Sequence, residues 1–416
     1  MTYIHIHNGT LIDGNGGDPL PNANVLIHNN RIIEVGAELS SINDIEDLTS
    51  IDAQGGYILP GLIDTHVHMM FEIAPLPERV STPFSLNFYK AIQHMRRTLD
   101  AGITTVRDAG GTDFGVKQAI ETGLVEGPRM QISIGVLGIT GGHTDNWNLS
   151  GINTPLFPEY PGNPNGICDG VEEVRKKVRE ILRAGAEVIK VCSTGGVLSP
   201  TDHPEFTQFT EEELRVMVQE GEFRRGIKVM AHAQGAEGIK NAVRAGIHSI
   251  EHGIYLDEEA IDLMLEKGTF LVPTLLAPLS VVEIGEATGA MPEYGLRKAK
   301  ESIEAHRESI ALAYQAGVKI AMGTDAGVMP HGLNLRELEL MCDIGMSPME
   351  SVVATTKTAS ECLGWQDKVG TVEAGKLADV IIVDTNPLDD ISKLKDTNRI
   401  RFVMKDGRVM KDIRAD

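Results

Sequence analysis

The sequence predicts an α/β protein, a (β/α)8 TIM-like barrel with a small β-sandwich domain built from both termini. Two observations predict this fold. Between residues 57 and 365, helical stretches end in glycine and short apolar runs follow at once, whereas the two ends of the chain alternate apolar runs with turns. Glycine ends helices in the left-handed conformation, and a continuous apolar run suits a parallel strand buried on both faces.

The terminal segments carry the pattern of short antiparallel strands separated by turns. These runs and turns are 3–7, Asn8-Gly9, 23–28, Asn29-Asn30, 31–35, 378–384 and 400–404. We therefore predict one composite β-sandwich domain from residues 1–56 and 366–416, and a barrel domain from residues 57–365.

Eight apolar runs in the middle of the chain predict parallel strands. In chain order they lie at 63–68, 103–107, 130–137, 186–190, 227–232, 247–252, 269–273 and 318–325. The intervening helices carry start signals, with Asp169, Thr210 and Asp257 as N-caps. Eight such strands over roughly 300 residues favour a (β/α)8 barrel. A doubly wound sheet is the alternative, but no Gly-x-Gly-x-x-Gly turn follows the first strand.

Composition and charge exclude several classes of protein. Hydrophobic residues make up 42% and charged residues 23% of the chain, as in globular rather than disordered proteins. The net charge of −21 repels nucleic acid and anionic lipid. The sequence has no run of 18 apolar residues and no signal-peptide pattern, so we expect no membrane span, no nucleic-acid partner and a cytoplasmic location. Four cysteines without paired spacing, Cys168, Cys192, Cys342 and Cys362, are expected to be free thiols.

A long stretch without helix or strand signals follows the third predicted strand. Residues 138–170 are rich in glycine, proline and asparagine. Long loops in compact domains are usually functional, and this one should lie over the C-terminal mouth of the barrel, where such folds place their chemistry.

Two histidines and a lysine in predicted strands indicate a metal site. His66 and His68 are two residues apart, so both imidazoles can reach one ion. His5 and His7 have the same spacing, but in the terminal domain a solvated strand face explains them more simply. Lys190 lies in a buried strand, where an unpaired ammonium costs several kcal/mol. It is either a lysine reaching solvent at the strand end, or a functional amine or CO₂-derived carbamate.

Three further polar residues, His232, His252 and Asp325, end the fifth, sixth and eighth predicted strands. Each alone is more simply a satisfied polar residue. In a (β/α)8 barrel, however, the carboxyl ends of all strands converge on one rim. We therefore predict one metal site whose ligands are His66, His68, Lys190, His232, His252 and Asp325.

These residues and their flanking motifs resemble the amidohydrolase superfamily over essentially the whole chain. The resemblance rests on Pro60-Gly-Leu-Ile-Asp-Thr-His66-Val-His68, Lys190, His232, His252, Gly323-Thr-Asp325 and Gly370–Asp379. Within the superfamily the chain is similar to the branch that holds Xaa-Pro dipeptidases (prolidases), arginine or lysine carboxypeptidases and ochratoxin-type amidases. This similarity rests on Thr105–Gly110, Thr140–His143, Ser193–Val197 and Ile250–Gly253.

The resemblance implies a centre with two divalent metal ions, of which zinc is the first expectation. It implies that His66, His68 and Asp325 hold one ion, that His232 and His252 hold the other, and that Lys190, carboxylated by CO₂, bridges them. Asp325 would be the general base for attack by a metal-bridging hydroxide. His143 would bind the substrate and polarise its carbonyl.

The implied function is hydrolysis of an amide or peptide bond that releases a C-terminal amino acid from dipeptides or N-acyl amino acids. The alternatives are a detoxifying amidase for bulky aryl amides such as ochratoxin-like compounds, and a metal-free binding or scaffold protein. The expected partner is a small-molecule substrate, and relatives suggest a homo-oligomer. Arg79, Arg107, His203 and His331 are candidates for binding the substrate.

Two positions after the fifth predicted strand narrow this assignment. Deaminases of the superfamily generally place Glu three residues beyond His232, where this chain has Gly235, although Glu237 stands two residues further on. Prolidase relatives can carry Tyr just after this histidine motif, where this chain has Gln234. We therefore expect neither deaminase activity nor a strict preference for Xaa-Pro substrates.

Overall fold

The structure, a computed structural model, describes residues 2–40, 42 and 45–415 and combines α-helices with β-strands. The strands are β1 Tyr3–Leu11, β2 Leu20–His28, β3 Arg31–Gly36, β4 Leu48–Asp52, β5 Tyr57–Pro60, β6 Leu62–Val67, β7 Ile103–Asp108, β8 Arg129–Ile132, β9 Val136–Leu137, β10 Val188–Cys192, β11 Lys228–Ala233, β12 Ser249–His252, β13 Phe270–Val272, β14 Val380–Val383, β15 Ile400–Lys405 and β16 Arg408–Asp412.

The helices lie mainly between the central strands. They are α1 Leu76–Ser81, α2 Leu86–Asp100, α3 Phe114–Glu121, α4 Gly170–Arg183, α5 Glu211–Glu222, α6 Ala236–Ala245, α7 Glu258–Lys267, α8 Leu276–Thr288, α9 Glu293–Ala316, α10 Arg336–Asp343, α11 Pro348–Ala354 and α12 Lys357–Leu363, with 3-10 helices at Ile391–Lys395 and Thr397–Arg399. No helix in the described part of the chain is long and apolar enough to cross a membrane.

The two ends of the chain share one sheet. Its order is β16-β15-β14-β5-β1-β2-β3, and β4 pairs with β1. The N- and C-terminal parts meet where β14 runs antiparallel to β5, from Val380 opposite Pro60 to Val383 opposite Tyr57. The sheet therefore includes a strand beyond residue 56, the end of the first segment in the sequence-based division.

Alternate residues of this sheet face two different cores. On β14, Val380 and Ile382 pack in the core of the terminal sheet, whereas Ile381 and Val383 pack in the main core of the molecule. This alternation follows from the two-residue period of a strand. One face of the sheet is therefore covered by the central part of the chain.

The central strands are parallel and form a closed cycle of hydrogen bonds. They pair in the orders β6-β7-β8 and β9-β10-β11-β12-β13. Glu187 N, just before β10, donates to Ile132 O at the end of β8 at 2.8 Å and joins the two groups. The segment at 319–326 closes the cycle. On one side Leu271 N donates to Lys319 O, and on the other Thr65 N donates to Met322 O and His68 N to Ala326 O. The carboxyl ends of these parallel segments all lie at one rim.

Two predicted strands differ from the expectation. The third, at 130–137, is divided into β8 and β9 because Ile134 between them has a φ of 67°, which an extended strand does not allow. The eighth, at 318–325, makes isolated bridges rather than a regular strand. The order of the segments around the cycle is nevertheless the predicted one.

The predicted helix signals are confirmed with one exception. The glycines that precede the central strands have φ between 67° and 107°; they are Gly102, Gly185, Gly226, Gly246, Gly268 and Gly317. Thr210 forms a capping box with Glu213, and Asp257 caps α7. Asp169 is the N-cap residue of α4, as predicted, but its side chain makes no capping hydrogen bond, because its carboxylate accepts hydrogen bonds from Thr140 in the long loop instead. All four cysteines are free, as predicted.

An ion-pair network fastens the terminal sheet to the central strands. Arg129 on β8 contacts the buried Asp379 and also Asp406, each at 2.6 Å. We predict that Arg129→Met lowers the free energy of unfolding by about 3–5 kcal/mol, because Asp379 is left buried without its cation. The midpoint of urea unfolding measures this loss.

Arg399→Met is the matched control. Arg399 pairs with Asp384 at 3.4 Å on the surface, so its loss should cost less than about 1 kcal/mol. Equal destabilisation by both variants would contradict a special role for Arg129.

Candidate metal centre

The His66-Val-His68 motif lies at the end of β6, beside the segment that carries Asp325. Because side chains alternate along a strand, both imidazoles reach the same side. Asp325 Oδ1 lies 3.5 Å from His66 Nε2 and 3.2 Å from His68 Nε2. One donor atom of each residue lies within 4.8 Å of the other two. Two imidazoles and one carboxylate therefore form a compact set of potential ligands.

The ends of β10, β11 and β12 bring three more predicted residues to this place. Lys190 Nζ lies 3.4 Å from His66 Nε2. The His252 ring centroid lies 5.1 Å from that of His66 and 4.6 Å from that of His232. All six side chains line one cavity. The structure thus brings together all six residues predicted from the sequence as ligands.

Hydrogen bonds on the outer side of the rings decide which nitrogen faces the cavity. His68 Nδ1 donates to Gly110 O at 2.9 Å, and His232 Nε2 donates to Gly195 O at 3.0 Å. A carbonyl oxygen only accepts, so these nitrogens carry the hydrogens, and in a neutral ring the opposite nitrogen carries a lone pair. The same partners are found behind metal-binding histidines in general.

Burial favours the neutral form of three imidazoles, those of His66, His232 and His252. Burial, and then the charge of Lys190, holds the pKa of His66 well below its usual range. Burial is also the main cause that lowers the pKa of His232 and His252 well below the usual range, and it lowers the pKa of Lys190. Asp325 Oδ1 is buried and has no hydrogen-bond partner among the described residues. Neutral imidazoles and a free carboxylate oxygen are a donor set that fits divalent cations.

Strained backbone accompanies two of these residues. His252 has a φ of 75° and Asp325 a φ of 62°, a conformation that non-glycine residues adopt only where surrounding contacts impose it. Thr274, also at positive φ, places its hydroxyl oxygen 2.7 Å from His252 Nδ1. The ends of the strands are therefore shaped to present these side chains.

Arg107 does not line the cavity, contrary to the expectation that it binds the substrate. Its guanidinium is buried and donates to Glu251 at 2.9 Å and to Thr65 O at 2.7 Å. Glu251 in turn accepts a hydrogen bond from His66 Nδ1 at 2.8 Å. Arg107 is therefore a structural cation that holds Glu251 behind His66. Glu251 was not predicted from the sequence, although a charged residue in a buried strand is the same signal that marked Lys190.

The other substrate-binding candidates are dispersed. His331 Nε2 donates to His68 O at 3.2 Å, its ring stacks on His94, and burial lowers its pKa to about 3. His203 lies beside Glu205 outside the cavity wall. His331 is thus buried beside the His66-Val-His68 segment, where a substrate cannot reach it. Of the three histidines predicted to bind the substrate, His143, His203 and His331, only His143 lines the cavity.

The cavity wall is mostly apolar. Its apolar side chains include Phe71, Leu156, Phe157, Val197, Leu198 and Ile254. Phe157, from the 138–170 loop, stacks on His68 with ring centroids 5.3 Å apart, so this loop contributes to the mouth as predicted. Among the described wall residues, Lys190 is the only lysine and there is no arginine. A second, more polar chamber shares Phe71, Leu156 and Phe157 with this cavity, and Arg79 lines it.

Gln234 and Glu237, which follow β11, bear on whether the site could be that of a deaminase. Glu237 is mostly exposed and pairs with Lys240, so it does not reach the cavity. Gln234 lines the cavity, and its buried Oε1 has no partner among the described residues. Neither Glu237 nor Gln234 therefore places in the cavity the glutamate carboxylate that a deaminase would need to protonate a ring nitrogen.

The sequence and structure of the chain are similar to those of known hydrolases. The chain matches the amidohydrolase family over residues 57–410. It is 34% identical over 428 residues to ochratoxinase of Aspergillus niger, covering 98% of this chain and 86% of that protein. A solved Xaa-Pro dipeptidase with methionine bound in its active site is 36% identical, with a TM-score of 0.88 and coverage of 98% and 99% of the two chains. A prolidase complexed with N-methylphosphonate-L-proline is 34% identical, with a TM-score of 0.91 and coverage of 99% and 100%.

The fold and the residue set are thus those of a hydrolase that acts on amide bonds. The chain belongs to the amidohydrolase family, in the branch with prolidases and ochratoxinase. Divalent metals are typical of this family. The relatives are enzymes, which argues against the metal-free scaffold as an alternative.

The two His-x-His motifs of the chain provide a test of metal binding. We predict that a His66→Ala and His68→Ala double variant loses more metal affinity than the roughly 10- to 100-fold typical of changes to outer contacts. Metal content after dialysis, measured by mass spectrometry, checks this result.

A His5→Ala and His7→Ala double variant should keep the wild-type metal content. Those rings bind Asn24 and Ser50, each at 2.8 Å, in the terminal sheet. Loss of metal from this control, or its retention in the first variant, would contradict the assignment.

Proposed function

We propose that the protein uses two divalent metal ions, in the first instance zinc, to release the C-terminal amino acid from dipeptides or N-acyl amino acids. The observation that carries the proposal is the convergence of all predicted ligands on one buried cavity. In this proposal His66, His68 and Asp325 hold one ion, and His232 and His252 hold the other.

Lys190 is proposed to bridge the two ions as a carbamate. The amine nitrogen attacks the carbon of CO₂ and loses a proton, which leaves an anionic group with two ligand oxygens. Lys190 is buried, and no carboxylate of the described residues lies within ion-pair distance of it. Burial also lowers its pKa, which favours the neutral amine that reacts with CO₂.

The protein's own residues would then bind the substrate and move protons. Bound divalent cations supply an activated water and polarise the scissile carbonyl. Asp325 Oδ1 is the proposed base, which takes a proton from the attacking water and passes it to the leaving nitrogen. His143 is proposed to contact the scissile amide group through Nε2. The apolar wall favours substrates with an apolar side chain.

Arg79 is the remaining arginine candidate for contact with a substrate carboxylate. It lines the polar chamber next to the metal cavity and donates to Pro155 O at 3.1 Å. The residues that follow, Leu156 and Phe157, line both chambers. Arg79 is thus nearer to the substrate path than Arg107, which is enclosed among the central strands.

A second candidate is a detoxifying amidase that acts on bulky aryl amides. Two observations favour it: the aromatic and aliphatic cavity wall, and the 34% identity to ochratoxinase over nearly the whole chain. Both candidates use the same metal centre and differ in the acyl part of the substrate.

The finer description of the architecture is also a proposal. We propose that the cycle of parallel segments is the (β/α)8 barrel of residues 57–365 and that the shared sheet belongs to the composite β-sandwich domain of residues 1–56 and 366–416. A homo-oligomer remains a prediction from the resemblance alone.

The carbamate is tested at Lys190. We predict that Lys190→Ala loses bound metal and activity, and that short carboxylic acids restore part of both, because a carboxylate supplies the two oxygens of the missing group. Metal content and amide hydrolysis, each with and without added acetate or propionate, are the measurements. Full activity of Lys190→Ala without added acid would refute the bridge.

A panel of substrates tests the reaction. With zinc and bicarbonate present, we expect amino-acid release from dipeptides and N-acyl amino acids, fastest where the side chain is apolar. The same panel includes neutral aryl amides, which have no free carboxylate, and aryl amides in which an aromatic acyl group is joined to the nitrogen of an amino acid with a free carboxylate. Hydrolysis confined to amides without a free carboxylate would contradict the C-terminal release, and faster cleavage of the aryl amides of amino acids would favour the second candidate.

A further inference from the structure

The loop at residues 195–202, between β10 and α5, contacts two of the site histidines. Gly195 O accepts the hydrogen bond from His232 Nε2 at 3.0 Å. Gly196 packs so closely on His143 that an added Cβ would lie 2.2 Å from its Cε1. Ser199 Oγ lies 2.8 Å from His143 Nδ1. On its other face the His143 ring stacks on His232, with centroids 4.3 Å apart.

The hydrogen-bond directions in this loop fix the tautomer of His143. The Ser199 hydroxyl donates its one hydrogen to Asp202 Oδ1, since a carboxylate only accepts. Ser199 Oγ must therefore accept from His143 Nδ1–H. Gln208 holds both Asp202 and His143, because its Nε2 donates to Asp202 and its Oε1 accepts from the His143 main-chain N–H. This leaves Nε2 as the ring nitrogen that His143 offers to the cavity.

The ammonium of Lys298 holds the loop in this shape. Lys298 lies on α9, far from the loop in sequence. Its Nζ donates to Gly196 O at 2.9 Å, Ser199 O at 2.8 Å and Asp202 O at 2.7 Å, and lies 3.6 Å from Asp202 Oδ1. Lys298, Ser199 and Asp202 are all buried. All three ammonium hydrogens are thus used by main-chain carbonyls of one loop.

We propose that Lys298 is a positioning residue that, through the 195–202 loop, orients His143 toward the substrate and His232 toward the metal. Ser199 and Asp202 form the branch of this network that acts on His143 alone. The proposal rests on the proposed function for the role of His143 and on the proposed metal centre for the role of His232. Its effect on His232 concerns metal binding and is independent of the substrate.

The network is tested with Lys298→Met and Ser199→Ala. Lys298→Met keeps an apolar stem of similar length but removes the ammonium. It should lower kcat and weaken zinc affinity, each by about 10- to 100-fold. Ser199→Ala should lower kcat by about 10-fold, with KM and zinc affinity changed by less than about twofold, because of the two site histidines the Ser199 side chain contacts only His143. Zinc affinity is measured by competition with a chelator, and kcat and KM by amino-acid release with saturating zinc.

Lys300→Met on the same helix is the control. Lys300 pairs with Glu286 on the surface, so kcat, KM and zinc affinity should stay at wild-type values. A folded Lys298→Met with wild-type zinc affinity and kcat would overturn the proposal. If Lys298→Met does not fold, an unchanged kcat in Ser199→Ala overturns the branch to His143. If the wild type hydrolyses none of the amides, the proposed function fails, while the zinc affinity of Lys298→Met still decides the role of the loop.

Discussion

The carboxylate of Glu251 is the contact on which the centre of the molecule depends. It accepts hydrogen bonds from Arg107 at 2.9 Å and from His66 at 2.8 Å, and all three side chains are buried. These residues lie on β12, β7 and β6, so one carboxylate joins three strands that are distant in sequence. Buried charges are costly unless each is paired and hydrogen-bonded. The same contact sets which nitrogen of His66 carries hydrogen, so the packing of the strands and the orientation of the ring depend on each other.

Two further imidazoles, those of His68 and His232, are oriented by main-chain carbonyls of loops rather than by strand residues. Gly110 O accepts from His68, and Gly195 O accepts from His232. Gly110 has a φ of 143°, and a Cβ there would lie 2.5 Å from a methyl group of Val136. The loop after β7 therefore needs glycine in order to bring its carbonyl to His68. The strands bring the rings together, and for His68 and His232 the loops decide which nitrogen faces the cavity.

Much of the fold could be predicted because local signals repeat, with a helix, a glycine and an apolar strand in each unit. The break at Ile134 and the diversion of Asp169 to the long loop could not, because both depend on contacts with residues distant in sequence. The six residues predicted as ligands come together because the carboxyl ends of the strands converge on one rim. Arg107 was misplaced because charge type does not reveal whether a guanidinium turns inward. Lys298 was missed because it lies on a helix and acts only through a loop far away in sequence.

The two His-x-His motifs show what spacing alone establishes. In both, the two rings come close, with centroids 4.9 Å apart for His5 and His7 and 5.5 Å apart for His66 and His68. Period-two alternation is sufficient for that approach. The first pair meets polar side chains of neighbouring strands, which satisfy its nitrogens. The second pair is buried, has acceptors behind its rings and faces Asp325. Spacing alone therefore does not distinguish a pair of metal ligands. The distinguishing features are burial, a hydrogen-bond acceptor behind each ring and a third potential ligand, and these come from the tertiary fold.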